Sequence, residues 1–187
     1  MTSATDPRYD RLVAHLERLE PGRAYSLRAW VDAHWPQIAV APGSRHNHHT
    51  WPGGFLDHTL QLLEAADVLL AGLPSVHDLP DDVTPTAVKT VLLLHDVEKP
   101  FKYTDGLPDA WSKEDYLATG IRQWGLQLSP AELKAVRHAH GELDDYNAHG
   151  RAMDPLGAVV HACDVISARA WHDRGPPKNA AGPTSAA

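Results

Sequence analysis

The amino-acid sequence predicts an all-α protein, and three observations carry that reading. Capping side chains stand directly before prolines at Asp6-Pro7, Thr84-Pro85, Ser129-Pro130 and Asp154-Pro155. Each pair joins a helix-capping oxygen to a residue suited to the first helical position. The apolar residues that follow recur at helical spacing, as in Leu12, Leu16 and Leu19 or in Leu60, Leu63 and Val68, so they line one face of a 3.6-residue repeat. Stretches of period-two alternation rich in β-branched residues, the mark of strands, are missing.

The elements follow in order. Asp6-Pro7 opens a first helix over 7–20, and a second runs over 26–35. Gly53-Gly54 opens a third over 53–71, and Thr84-Pro85 a fourth over 85–99. Ser112 caps a helix over 112–124 with Gly125 as its stop. Ser129 has Glu132 three residues on, a capping box, and opens 130–140. Asp154-Pro155 opens the last, over 154–172. The expected architecture is a helical bundle of about six to seven helices. A long loop over 36–52, PQIAVAPGSRHNHHTWP, carries three histidines and an arginine, and long loops inside compact domains tend to carry function. Residues 1–174 read as one domain with enough chain to bury a core. The tail 175–187, GPPKNAAGPTSAA, is small, polar and proline-rich and reads as disordered.

Acidic residues outnumber basic ones by 24 to 17, a formal charge of −7. That balance disfavours broad nucleic-acid binding, which relies on many cations to displace counterions. The single cysteine, Cys163, excludes an internal disulfide and fits a reducing compartment. No apolar run reaches the ~20 residues of a membrane span, and no signal peptide is visible. The expected location is cytoplasmic, with no membrane partner.

Histidine is the outlier. Thirteen are present, and ten fall near one another or beside other candidate ligands: 46, 48, 49, 58, 95, 138, 140, 149, 161 and 172. Histidine is the commonest metal ligand. His95 and Asp96 end a run of aliphatic residues, TAVKTVLLL, where neither side chain is content without a partner. Asp164 lies among Ala, Val, Cys and Ile in the last helix, and a carboxylate buried there needs one too. His58 stands one turn into its helix, and His138 and His140 end theirs. Helices of a bundle can aim such side chains into one shared cavity.

In this order the residues resemble a family. GGFLDHTL, LLLHDVEKP, VRHAHGELDD and HACDVISA look like the H…HD…D segments of the HD superfamily of metal-dependent phosphohydrolases. The closest-looking branch includes 3′-5′ exoribonucleases, and the resemblance covers about residues 48–170. It implies an HD-like bundle in which His58, His95, Asp96 and Asp164 hold a first metal ion, with Asp96 free to bridge. It places Lys99 and His140 toward phosphate, and His140 as ligand or phosphate contact of a second ion. Ala139 departs from the family's histidine pair, and Glu98 stands where many relatives have glycine.

The cofactor implied is one or two divalent ions per chain, drawn from Mn, Fe, Ni, Co, Zn or Mg. The substrate implied is a small phosphoester, a nucleotide or a relative of one. A single-stranded nuclease and a non-catalytic module binding a nucleotide or a protein are the alternatives. Arg45, His48, His49, Trp51 and His138 are candidate substrate contacts. His138 and His140, two apart on a regular helix, cannot both face the cavity, and His140 is the one expected inward, with His138 solvent-facing. His161 could orient Asp164, though a surface position is the plainer reading. Glu142, Asp144 and Asp145 read as a solvated turn, and the tryptophans mostly as core anchors.

Overall fold

A computed structural model of the chain describes residues 6–104, 107 and 112–171. It is all-α. The helices are α1 (Pro7–Leu16), α2 (Pro21–Val40), α3 (Gly54–Gly72), α4 (Pro85–Leu94), α5 (Lys99–Tyr103), α6 (Lys113–Gln123), α7 (Pro130–Arg137) and α8 (Pro155–Arg169). Short 3-10 turns follow α3 and α7, at Leu73–Ser75 and Leu143–Asp145. Among the described residues the only extended pairing is an isolated bridge between Asn147 and Gly150. The tail 175–187, His172 and Trp111 lie outside the described residues.

The starts expected at Asp6, Thr84, Ser112, Ser129 and Asp154 hold because each is fixed locally, whereas the second helix begins at Pro21 rather than 26. Asp6, Thr84 and Asp154 accept the backbone N–H of Arg8, Ala87 and Gly157. Ser129 and Glu132 form the expected capping box, and Ser112 forms a second one with Asp115. The ends differ, and prolines explain most of the difference. The first helix stops at Leu16 rather than 20, because the residue before Pro21 must be extended, and Glu20 is (φ −56°, ψ 139°). The second helix runs to Val40, not 35. It absorbs Pro36 through a kink at His34 (φ −119°, ψ 15°), so the loop begins at Ala41. The fourth helix breaks after Leu94, because Pro100 lacks an N–H and its ring would strike the carbonyl of residue 96 in a continuous helix. The chain turns instead, with Lys99 N–H bonded to Asp96 C=O at 3.0 Å, and restarts as α5. Helix α7 ends at Arg137, with His138 as its cap and Gly141 in the left-handed region (φ 106°).

Helices α3, α4, α7 and α8 pack against one another, while α1 and α2 cover α3. Leu56, Leu60, Leu62 and Leu63 of α3, Val88, Val91 and Leu94 of α4, and Leu156, Val160 and Cys163 of α8 are buried in the shared core. Arg23 of α2 pairs with the buried carboxylate of Glu132, tying α2 to the start of α7. No helix among the described residues is long and apolar enough to cross a membrane.

The entry to α3 fixes the histidine loop. Gly53 adopts φ 78°, a left-handed conformation open to glycine. A Cβ on Gly54 would collide with the backbone carbonyl of His49, and one on Gly43 would stand 2.7 Å from the His49 Cβ. Asp57 accepts the indole N–H of Trp51 at 2.8 Å and a guanidinium N–H of Arg8 at 3.2 Å. We expect Gly54→Ala to destabilise the fold by about 1–3 kcal/mol, read as a lower midpoint in chemical denaturation. An unchanged midpoint would show that the loop does not press on α3.

Candidate metal centre

Four separate segments deliver one cluster. His58 comes from α3, His95 caps α4, Asp96 sits in the following turn, and Asp164 lies on α8. His95 keeps right-handed helical angles (φ −63°, ψ −23°) at the end of α4, so it and Asp96 diverge much as helical neighbours do and meet at their shared edge. His58 Nε2 is 3.4 Å from Asp164 Oδ1 and 3.8 Å from Asp96 Oδ2. His95 Nε2 is 3.2 Å from Asp96 Oδ2 and 3.8 Å from Asp164 Oδ1. An ion with bonds of ~2.1 Å holds neighbouring ligand atoms ~3.0 Å apart at right angles and ~3.4 Å apart at the tetrahedral angle. The observed spacings lie close to that range.

The tautomers suit a cation. His95 Nδ1 donates to the Leu92 carbonyl at 2.7 Å, which directs Nε2 to the centre. His58 Nδ1 faces Ser167 Oγ at 2.8 Å, which does the same. Both Nε2 atoms are buried and make no hydrogen bond, and a buried polar atom without a partner is costly. Such outer contacts are how proteins orient metal-binding imidazoles. The buried His and Asp groups can therefore hold a metal ion.

His140 completes a second half. Its Nε2 is 3.3 Å from Asp96 Oδ1 and its Nδ1 3.1 Å from Asp164 Oδ2. Each carboxylate thus turns one oxygen to His58 and His95 and the other to His140, so Asp164 as well as Asp96 is placed to bridge. His140 is 41 % exposed, whereas His58, His95 and Asp96 are closed off. The centre opens to solvent at His140. Lys99 Nζ lies 2.5 Å from Asp96 Oδ2, so the ammonium stands on a candidate ligand atom.

Electrostatics follow from this crowding. Burial opposes charge on Asp96, but His95, His140 and Lys99 outweigh it and hold the carboxyl well below its ordinary range. Asp164 is lowered likewise, with His140, His58 and His95 overcoming burial. Burial also disfavours a charged His95, yet the two aspartates lift it to about 9. An ion held here would have to displace a proton from His95 below that pH, so any metal affinity is expected to rise with pH toward about 9. His58 moves the other way, chiefly through burial, and stays neutral. His48 and His49 fall to about 4, again chiefly through burial.

Other expected residues are placed as follows. His48 and His49 reach the centre, their rings 4.9 and 5.0 Å from that of His58. His46 is exposed on the loop. Arg45 is exposed, its guanidinium 6.0 Å from the Tyr103 ring. Trp51 commits its indole to Asp57 and packs against His49, so it braces the loop.

His138 is a correction. It is 4 % exposed rather than solvent-facing, because α7 ends at Arg137 rather than 140 and lets the ring turn in to Asp145 at 3.0 Å. The turn after Gly141 is not simply solvated either. Asp145 also pairs with Arg137, and Glu142 accepts the Met153 N–H at 2.8 Å. His161 makes no hydrogen bond to Asp164. Its Nδ1 donates to the Ala139 carbonyl at 2.9 Å and holds the turn that carries His140. Glu98 is buried with Oε2 unpartnered, and burial pushes its carboxyl up. Trp30 is buried, whereas Trp171 is 45 % exposed, so not every tryptophan is an anchor.

Gln61 and Ser167, which carry the outer hydrogen bonds of this centre, were not expected from the sequence. A glutamine and a serine on helices look ordinary until the helices are packed. A cleft of about 460 Å³ beside the His140 turn is lined by Gly141, Tyr146, Arg151 and His161 among others, but by none of the convergent ligands. No protein-family model matches the chain, and comparison with curated proteins and solved structures finds no match.

Proposed function

We propose that this protein is a metal-dependent phosphohydrolase of the HD type, acting on a small phosphoester such as a nucleotide. One observation carries the reading. Two buried imidazole nitrogens without hydrogen bonds and two carboxylates meet within 3.2–3.8 Å, in the chain order of the H…HD…D resemblance. His58, His95, Asp96 and Asp164 would hold the ion. The mixed nitrogen and oxygen donors suit Mn, Fe, Co, Ni or Zn, and with added waters Mg. When bound, a divalent ion supplies Lewis-acid polarisation of a phosphoryl oxygen and a more acidic water.

The chain's own residues do the rest. His140 stands at the open side, where substrate has to enter. The Lys99 ammonium, once off Asp96, is a cation beside the centre for the charge that builds on phosphoryl oxygens. His48 and His49 line the same centre from the loop. Cys163 takes no part, since burial pushes its thiol up to about 12 and it remains protonated.

The test is a panel of mononucleotides, other small phosphomonoesters and single-stranded RNA and DNA, assayed with each divalent metal, alongside elemental analysis. Metal-dependent release of phosphate from a small ester supports the reading. Cleavage confined to the polynucleotides supports the nuclease alternative, and protein that binds no divalent metal and stays inert on every substrate with each one added would end the proposal. His140→Ala decides nuclearity. If His140 holds a second ion, its loss lowers metal content from about two per chain toward one with the fold intact. One ion per chain in both proteins restricts His140 to a phosphate contact.

A further inference from the structure

We infer that Gln61 is a positioning residue whose single side-chain oxygen sets the tautomers of His58, His49 and His48. Gln61 lies one turn after His58 on α3. Its Oε1 accepts the hydroxyl proton of Ser167 at 2.9 Å and faces His49 Nε2 at 3.0 Å. A carbonyl oxygen only accepts, so both partners must donate.

On the first branch, Ser167 has one hydroxyl proton and directs it to Gln61. Its contact with His58 Nδ1 at 2.8 Å must then be an imidazole N–H donating to the hydroxyl oxygen. The ring proton of His58 therefore stays on Nδ1. Its buried Nε2 keeps a lone pair toward Asp96 and Asp164, where no hydrogen bond meets it.

On the second branch, His49 carries its proton on Nε2, so its Nδ1 accepts. The contact between His48 Nδ1 and His49 Nδ1 at 3.0 Å is then donated by His48. That leaves a lone pair on His48 Nε2. Gln61 so links the α3 ligand to the histidine loop, and both branches depend on one carbonyl. Without it, the Ser167 hydroxyl is free to rotate and donate to His58 Nδ1. The His58 proton then moves to Nε2, the atom the ion needs.

The inference rests on the proposed metal centre only where affinity is read; the tautomers are read in metal-free protein. Long-range proton–nitrogen correlation spectra of histidine-labelled protein should show His58 and His48 as Nδ1–H and His49 as Nε2–H. Gln61→Leu, close in size but without an acceptor, should move His58 to Nε2–H and weaken Mn²⁺ binding by about 10–100-fold. Gln61→Glu keeps the acceptor and should retain the wild-type His58 tautomer. Ser167→Ala serves if Gln61→Leu does not fold. It cuts only the first branch and should disturb His58 while leaving His48 and His49 unchanged. His58 remaining Nδ1–H in both Gln61→Leu and Ser167→Ala overturns the inference. Failure of the wild type to bind Mn²⁺ would overturn the metal reading instead, and the spectra would still decide the role of Gln61.

Discussion

If the centre binds a divalent metal as proposed, Asp164→Ala is expected to lose that binding while keeping its fold. The carboxylate gives Oδ1 to His58 and His95 and Oδ2 to His140, so one substitution removes a ligand from both halves of the centre. Removing a residue that only orients a ligand costs about 10–100-fold in affinity, and a direct ligand should exceed that. The variant should purify with metal content near zero under conditions that load the wild type, and turnover should fall with it. Helical circular dichroism should be unchanged, since the Asp164 carboxylate makes no backbone contact that supports α8. Asp164→Asn separates charge from shape. It keeps one oxygen but loses the negative charge, and it should bind more weakly than wild type. Normal metal content in Asp164→Ala would remove Asp164 from the ligand set, and with it the link to the final aspartate of the HD pattern.

The sequence revealed helix starts better than helix ends, for a physical reason. A start is encoded within four residues by a capping oxygen and a proline, and Asp6, Thr84, Ser129 and Asp154 all cap as expected. An end depends on what the chain meets next. Pro36 was accommodated by a kink, while Pro100 broke its helix. That break could not be separated from a continuous helix by periodicity alone. The convergence of the candidate ligands was legible, because histidine and aspartate at apolar positions need partners wherever they are buried. Their supports were not. Gln61, Ser167 and the Ala139 carbonyl act through contacts between residues far apart in the chain, and their residue types carry no signal of it. His138 shows the same limit. Its partner Asp145 lies on a turn whose shape follows from Gly141 and the early end of α7.

Lys99→Ala is the variant in which metal binding and turnover should part. The Lys99 ammonium sits 2.5 Å from Asp96 Oδ2, the same oxygen that faces His58 and His95. In metal-free protein it offsets a buried carboxylate; when an ion arrives, the two cations compete for that oxygen. Removing the ammonium therefore relieves competition, and metal affinity should stay level or rise. Without metal, Asp96 loses part of its compensation, so the apo variant should melt lower than apo wild type and gain more on adding metal. Turnover should move the opposite way. If Lys99 meets phosphoryl oxygens, its loss should lower kcat by about 10²–10³, the range seen when one preorganised donor to a developing negative charge is removed. Lys99→Arg keeps a cation and should recover part of the rate. Metal affinity can be read by competition with a chelating dye, and stability from melts with and without metal. A fall in affinity that accounts for the whole loss of rate would make Lys99 a support for the ion. Unchanged turnover would leave it only the task of balancing Asp96.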